Sequence, residues 1–181
     1  MSDLKVFKDD NASECLEHYT NKQDMAARLK SVGIRYEQWE TSMSIPDGAD
    51  SDIIMQAYKQ EIYGLMAEEG YKTVDVISLT SDHPQKDELR KKFLDEHTHS
   101  EDEVRFFVKG QGLFTLHVGN EVFEVLCTQG DLISVPDGTR HWFDMGPNPN
   151  FIAIRLFNNP EGWVANYTGN AIALQYSRLE N

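Results

Sequence analysis

The second half of the chain alternates short apolar runs with turn residues. Six runs are rich in β-branched and aromatic side chains, and they cover residues 104–108, 112–118, 121–127, 131–135, 141–145 and 151–157. Glycine, proline and asparagine separate them, as in Gly119-Asn120 and Gly146-Pro147, and such residues mark turns between strands. Strands that recur at intervals of about ten residues are typical of a small antiparallel barrel or jelly roll. The pattern therefore predicts a mainly β fold.

In the first half, apolar residues recur mostly at helical spacing. Ile54, Ile62 and Leu65 fall on one face of a long helix, which Gly70 would end because glycine readily adopts the left-handed conformation. The elements predicted for this half are a helix over residues 21–32, a helix from Asp50 or Ser51 to Gly70, a strand over 73–79 and a short helix that starts at Pro84. We expect these helices to pack around the sheet formed by the second half.

The length of 181 residues suits a single domain with a substantial core. We interpret residues 1–95 as a helical part that packs on the β structure. Residues 96–160 would form the core of that structure, and residues 161–181 a C-terminal tail. No segment resembles an obvious interface helix, so we expect a monomer.

The net charge excludes some classes of partner. Thirty acidic residues against seventeen basic ones give a formal charge of −13. Because this excess repels polyanions, we expect neither nucleic acid nor an anionic membrane surface as a partner. The simplest interpretation of the acidity is that it keeps the protein in solution.

Cysteine content and hydropathy indicate a compartment. Cys15 and Cys127 form no paired-cysteine framework, and the polar, acidic residues 1–10 lack the apolar core of a signal peptide. No apolar run approaches the roughly 18 residues that suggest a membrane span. We therefore expect a cytoplasmic protein.

Three histidines and a glutamate form the strongest chemical signal. His97 and His99 lie two residues apart in a segment that reads as a strand, so both side chains can point to one face. Glu103 follows closely, and His141 stands in a later strand. Imidazoles together with one carboxylate suit a first-row divalent metal such as iron, nickel, cobalt, manganese or zinc. The alternative is a set of scattered surface histidines, which the two separate clusters disfavour.

Arg105 is the next candidate for a functional role. It lies two residues after Glu103, so a strand would direct both side chains into the same cavity. An inward arginine is costly unless it meets a negative charge, which either an internal carboxylate or a bound anion would supply. Phe107 has the same parity and is interpreted as ordinary core.

Two separated motifs carry a resemblance to a known superfamily. The first is His97-x-His99-x-x-x-Glu103 followed by Gly110, and the second consists of Gly130, Pro136, Gly138 and His141. They resemble the two cupin motifs, which implies a cupin-type β-barrel of the jelly-roll class with helices supplied by the N-terminal half. In that superfamily these four ligand positions bind one metal inside the barrel. Lys91 and Met145 replace the usual glycine and asparagine at the motif ends, and neither position is a ligand.

The residues around the ligands resemble one family within the superfamily. Residues 93–108, 138–146 and 155–163 closely resemble acireductone dioxygenases of the methionine salvage pathway. The resemblance implies cleavage of a methylthio acireductone by O₂. An iron form, with one Fe²⁺ per chain, gives a keto acid and formate, and a form with Ni²⁺ instead also releases carbon monoxide. It further implies that Arg105 binds the dianionic substrate, that Phe93 and Phe143 wall a pocket for the methylthio tail, and that Trp163 covers its mouth.

Two other functions fit the same residues. The first is another cupin enzyme, either a small-molecule isomerase or a different dioxygenase. The second is a non-catalytic cupin whose metal only stiffens the fold, since four protein ligands would saturate a tetrahedral Zn²⁺. Six-coordinate iron or nickel would leave two positions open, so the metal geometry separates these alternatives.

Overall fold

A computed structural model describes residues 1–40, 43–46 and 48–180 of the chain. Its strands are β1 (Asp3–Lys8), β2 (Glu17–Tyr19), β3 (Arg35–Gln38), β4 (Thr73–Leu79), β5 (His97–Thr98), β6 (Glu103–Lys109), β7 (Gln111–Val118), β8 (Glu121–Thr128), β9 (Asp131–Val135), β10 (Arg140–Asp144), β11 (Phe151–Phe157) and β12 (Asn166–Tyr167). Its α-helices are α1 (Lys22–Lys30), α2 (Ser51–Ala57), α3 (Lys59–Glu69) and α4 (Lys86–Leu94). Short 3₁₀ helices cover Pro160–Trp163 and Ala171–Gln175. Asn181, the end of the expected C-terminal tail, lies outside the described residues.

The strands pair into two antiparallel sheets. One sheet has seven strands in the order β12-β5-β10-β7-β8-β1-β2, and the other has five in the order β3-β9-β6-β11-β4. The expectation of a mainly β fold with helices from the N-terminal half is confirmed. Within the described residues, backbone pairing forms these two sheets and does not link them into one closed barrel.

All six strands expected in the second half are present, but the first half is less helical than its spacing suggested. It also supplies β1, β2 and β3, which the periodicity did not reveal. The register of β1 runs against β8 from Asp3 opposite Leu126 to Lys8 opposite Glu121. Short strands with charged ends owe their formation to such pairing rather than to intrinsic preference, and this explains the omission.

The long helix expected up to Gly70 is divided in two. Tyr58 leaves the helical conformation, with φ −113° and ψ 21°, and separates α2 from α3. Its buried ring packs edge-on against Phe106 with the ring centroids 4.6 Å apart. Gly70 ends α3 at φ 79°, as expected. None of the helices in the described residues has the length and apolar character needed to cross a membrane.

Strand β6 is buried on both faces and positions the site. Phe107 packs in the core between the sheets, which confirms its interpretation as ordinary core. Val104 and Phe106 belong to a second core, which α2 and α3 cover. Because neighbouring side chains on a strand point to opposite faces, Glu103 and Arg105 share the face of Phe107 and enter the interior.

Candidate metal centre

Three buried histidines converge between the sheets. His97 on β5 lies directly opposite His141 on β10, and His99 is the first residue after β5. One ring nitrogen from each of these residues lies within 4.8 Å of the others, a spacing at which all three could hold one metal ion. The pairing of β5 with β10 explains why His97 and His141 lie close together, since residues directly opposite each other carry their side chains on the same face.

Each imidazole is oriented by a backbone carbonyl. The Nδ1 atoms lie 2.7 Å from the oxygen of Asp95 for His97, 3.1 Å from that of Val164 for His99, and 2.7 Å from that of Thr139 for His141. A ring that donates from Nδ1 keeps the lone pair of its neutral form on Nε2, which is the usual arrangement of metal-binding histidines. Within the described residues, the buried Nε2 of His97 has no hydrogen-bond partner.

Glu103 completes the cluster. Its Oε2 lies 2.9 Å from Nε2 of His141 and 3.3 Å from Nε2 of His99. A carboxylate this close to two ring lone pairs requires a cation or protons between them. One divalent cation would satisfy all of these groups and the orphaned Nε2 of His97, so the donor set fits a metal ion.

The protonation states favour the same conclusion. Burial, together with the neighbouring His141, lowers the pKa of His97 from 6.5 to about 4. His97 is therefore neutral and available as a ligand near pH 7. Burial by itself would raise the pKa of Glu103, but Arg105 and the contacts with His141 and His99 hold it well below 4.5.

Arg105 is buried beside the histidines, as its parity with Glu103 predicted. Its Nε lies 2.8 Å from Oε1 of Glu103, and the two side chains form a buried ion pair. Its guanidinium carbon lies 5.0 Å from the ring centroid of Phe143 and 5.9 Å from that of Phe114. Burial lowers the pKa of Arg105 from 12.5, whereas Glu103 acts in the opposite direction. The internal carboxylate expected as one alternative is thus present.

A cavity of about 250 Å³ opens beside this cluster. Two of the residues expected around a substrate, Phe93 and Trp163, line it together with His99, Glu103 and Arg105. Phe143 is instead packed beneath Arg105 in the core. A larger cavity of about 630 Å³ lies on the other side of the five-stranded sheet, and its described lining includes none of the clustered histidines.

Arg155 also lines the cavity of about 250 Å³ beside the histidines, and the sequence analysis did not identify it as a site residue. It lies opposite Arg105 in the register of β11 and β6. Its guanidinium binds both carboxylate oxygens of Asp75 on β4, at 2.8 and 2.5 Å, and stacks 4.4 Å from the ring centroid of Trp163. Only the strand register brings Arg155 to the site, and no spacing in the sequence reveals that register.

Comparisons with known proteins agree with each other. Residues 3–165 match the family model described as the ARD/ARD' family. The acireductone dioxygenase of Alcanivorax borkumensis is 60% identical over 98% of each chain, and that of Stutzerimonas stutzeri is 56% identical over the full length of both. A solved structure, acireductone dioxygenase from Bacillus anthracis with a cadmium ion in its active centre, matches with a TM-score of 0.78 at 33% identity, covering 92% of this chain and 98% of that one. This match supports the cupin-type fold.

Proposed function

Because the chain belongs to the ARD/ARD' family, we propose that it is a metal-dependent acireductone dioxygenase. One observation carries the proposal beyond family membership. A buried cluster of three histidines and one carboxylate contributes His99 and Glu103 to the wall of a cavity that the buried Arg105 also lines. A metal site beside a cation is suited to an anionic chelating substrate.

We propose that His97, His99, Glu103 and His141 hold one Fe²⁺ per chain, with Ni²⁺ as the alternative metal. The metal would supply Lewis acidity that favours the deprotonated enediol and holds it beside O₂. The carbonyls of Asp95, Thr139 and Val164 keep the three rings in the orientation that this requires.

Arg105 would bind the charge of the substrate. Its guanidinium is held by Glu103 and by the rings beneath it, so it is already desolvated and oriented before the substrate arrives. A preorganised cation in a buried site stabilises a developing anion more strongly than one in water. We propose this as the principal catalytic contribution of a side chain that does not hold the metal.

Apolar side chains would bind the rest of the substrate. Phe93 and Trp163 line the cavity beside Arg105 and would contact the methylthio tail. Phe143 would support Arg105 from below, a more indirect role than the pocket wall that the family resemblance implied. The polar side chains of the cavity wall, His99, Glu103 and Arg105, are all buried.

The overall reaction takes up one O₂ for each methylthio acireductone. One carbon–carbon bond breaks, the substrate supplies the electrons, and both oxygen atoms enter the keto acid and formate. In the nickel form we propose a second cleavage that also releases carbon monoxide. The pathway would be methionine salvage, and we expect a cytoplasmic monomer without nucleic-acid or membrane partners.

The experiment that tests this function is O₂ uptake with a synthetic acireductone. Apoprotein is loaded separately with Fe²⁺ and Ni²⁺, and the carbon products are identified. We expect metal-dependent uptake with formate from both forms and carbon monoxide from the nickel form alone. One tightly bound metal per chain without any O₂ uptake would overturn the dioxygenase proposal in favour of an isomerase or a structural metal.

A further inference from the structure

Two segments meet at the outer side of the metal cluster. The first is the turn between His99 and Glu103, and the second is the segment of residues 158–164, which contains the 3₁₀ helix Pro160–Trp163. The backbone N–H of Ser100 donates to the carbonyl of Gly162 at 3.2 Å. The carbonyl of Val164 accepts from Nδ1 of His99 at 3.1 Å. The segment is therefore bonded directly to a proposed metal ligand.

Glu101 makes the central contact between these segments. Its Oε2 accepts from the backbone N–H groups of Asn158 at 3.1 Å and Asn159 at 3.0 Å. These groups immediately precede the 3₁₀ helix, whose N-cap is Asn159, with its side chain accepting from the N–H of Glu161. Glu101 thus fixes the end at which the segment leaves β11.

Gly162 shows how tightly the two segments are packed. A Cβ atom at this position would lie 2.5 Å from Cγ, 2.9 Å from Cβ and 3.0 Å from Cδ of Glu101. Gly162 is buried and is not among the glycines with positive φ. The absent side chain is therefore required by the contact with Glu101 and not by the backbone conformation.

The next residue carries this placement to the cavity. Trp163 lines the cavity, and its ring lies 4.9 Å from that of Phe157 and 4.4 Å from the guanidinium of Arg155. A shift of the segment would therefore move the cavity wall at Trp163 and the carbonyl that orients His99 together. Among the described residues, Glu101 is the side chain that both accepts from this segment and packs against Gly162.

We propose that Glu101 is a positioning residue, which holds residues 158–164 so that Trp163 closes the cavity and Val164 orients His99. Its effect on turnover rests on the proposed dioxygenase function, but its effects on Trp163 and on metal binding do not. The oxygen that accepts both N–H groups is retained in glutamine and absent from leucine of similar size. Glu101→Gln therefore keeps the bonds and Glu101→Leu removes them.

The test compares five variants with wild type: Glu101→Gln, Glu101→Leu, Gly162→Ala, Glu101→Ala and the double variant Glu101→Ala/Gly162→Ala. Exposure of Trp163 is measured by acrylamide quenching after subtraction of the matching Trp163→Phe protein, and metal affinity by titration of apoprotein with Ni²⁺. Glu161→Leu is the control, since it makes the same charge change at an exposed position of the segment. Circular dichroism verifies folding.

We expect Glu101→Leu and Gly162→Ala to increase the quenching of Trp163 and to weaken Ni²⁺ binding by about tenfold, the lower end of the effect of losing a bond that orients a ligand. The Michaelis constant should rise more than kcat falls. Glu101→Gln should stay within about twofold of wild type. The Gly162→Ala effect should shrink in the double variant, because Glu101→Ala removes the closest clashing atom.

Two results would overturn the proposal. One is a Glu101→Leu protein that matches Glu161→Leu in quenching and in Ni²⁺ affinity. The other, which decides if Glu101→Leu does not fold, is a Gly162→Ala effect that is equally large in the wild-type and in the Glu101→Ala background. Neither readout requires an acireductone, so a wild-type protein without O₂ uptake would disprove the function and leave the positioning role intact.

Discussion

Arg105 and Arg155 lie directly opposite each other on adjacent strands, and each is paired with a carboxylate of its own. Arg105 binds Glu103 from within its own strand, whereas Arg155 binds Asp75 on the neighbouring strand. The proximity of Arg155 contributes to the lowered pKa of Arg105, after the larger effect of burial. Two like charges side by side thus persist because each is compensated locally.

Replacing Arg105 should reduce activity without removing the metal site. Arg105→Lys keeps a positive charge but loses the planar fork that binds an anion through two parallel bonds. We expect kcat/KM to fall by roughly a hundredfold, or about 3 kcal/mol. Steady-state kinetics on iron-loaded protein would measure it, with Arg178→Lys in the C-terminal segment as control. Unchanged kinetics would remove Arg105 from the proposed mechanism.

Metal binding should raise thermal stability only while the histidine cluster is complete. A ligand that binds the folded state alone adds about 2.7 kcal/mol at a hundred times its dissociation constant. We expect Ni²⁺ to raise the melting temperature of the wild-type apoprotein and of the His18→Ala control, whose imidazole is on the surface. His141→Ala should lose most of this increase in differential scanning calorimetry. An equal increase in all three proteins would place the metal elsewhere.

Gly112 should be sensitive to the addition of a single methyl group. A Cβ at this position would overlap the ring of Phe143 and lie 3.1 Å from that of Phe107. We expect Gly112→Ala to destabilise the fold by about 1–3 kcal/mol through overpacking and to raise the Michaelis constant, since Phe143 supports Arg105. The control is Gly64→Ala in α3, where a Cβ meets nothing within 4 Å.

Gly64→Ala should stabilise the protein by about 1 kcal/mol, because alanine favours a helix more than glycine does. Urea unfolding measures both changes. A Gly112→Ala protein as stable as wild type would show that the rings of Phe143 and Phe107 can shift to accommodate the methyl group without loss of stability.

Asp144 should make stability depend on acid pH. This buried carboxylate binds Arg90 on α4 through two bonds of 2.8 and 3.0 Å, and it accepts from the N–H groups of Gly146 and Leu179. Burial opposes ionisation, but these partners hold the pKa of Asp144 below its ordinary 3.8. Its stabilising contribution is therefore present above pH 3.8 and is lost as the pH falls below that value toward the folded-state pKa.

We expect Asp144→Asn to lower the free energy of unfolding by about 2–3 kcal/mol at pH 7 and by less near pH 3. Urea titrations of both apoproteins at the two pH values measure this. A difference that is independent of pH would contradict the role of the charge.

The sequence was sufficient to predict that the three histidines lie together, because metal binding restricts both residue type and spacing. The side chains of His97 and His99 point to the same face if the segment is extended, and the structure places both beside His141. The strands of the second half were equally visible, since buried strands between turns leave a clear pattern. Strands β1 and β3 pair with β8 and β9, which are distant in the sequence, and β2 is only a three-residue edge strand on β1. Their own residues therefore carried no comparable signal.

Residues that reach the site through register or loop packing were beyond sequence reasoning. Arg155 is placed by the alignment of β11 with β6, which depends on the whole sheet. Glu101 and Gly162 lie 61 positions apart and meet only because two irregular segments are folded against each other. Local composition does not reveal such contacts. A set of candidate metal ligands is visible in the sequence, because metal binding restricts its residue types and spacing.

Strand β6 has a further consequence because both of its faces are buried. Glu103 and Arg105 face the histidine cluster, while Val104 and Phe106 face the core under α2 and α3. A slip of one residue would place the carboxylate and the guanidinium in an apolar layer and turn Val104 and Phe106 toward the histidines. An insertion or deletion between Glu103 and Arg105 would therefore disturb the cluster and the core under the helices at the same time.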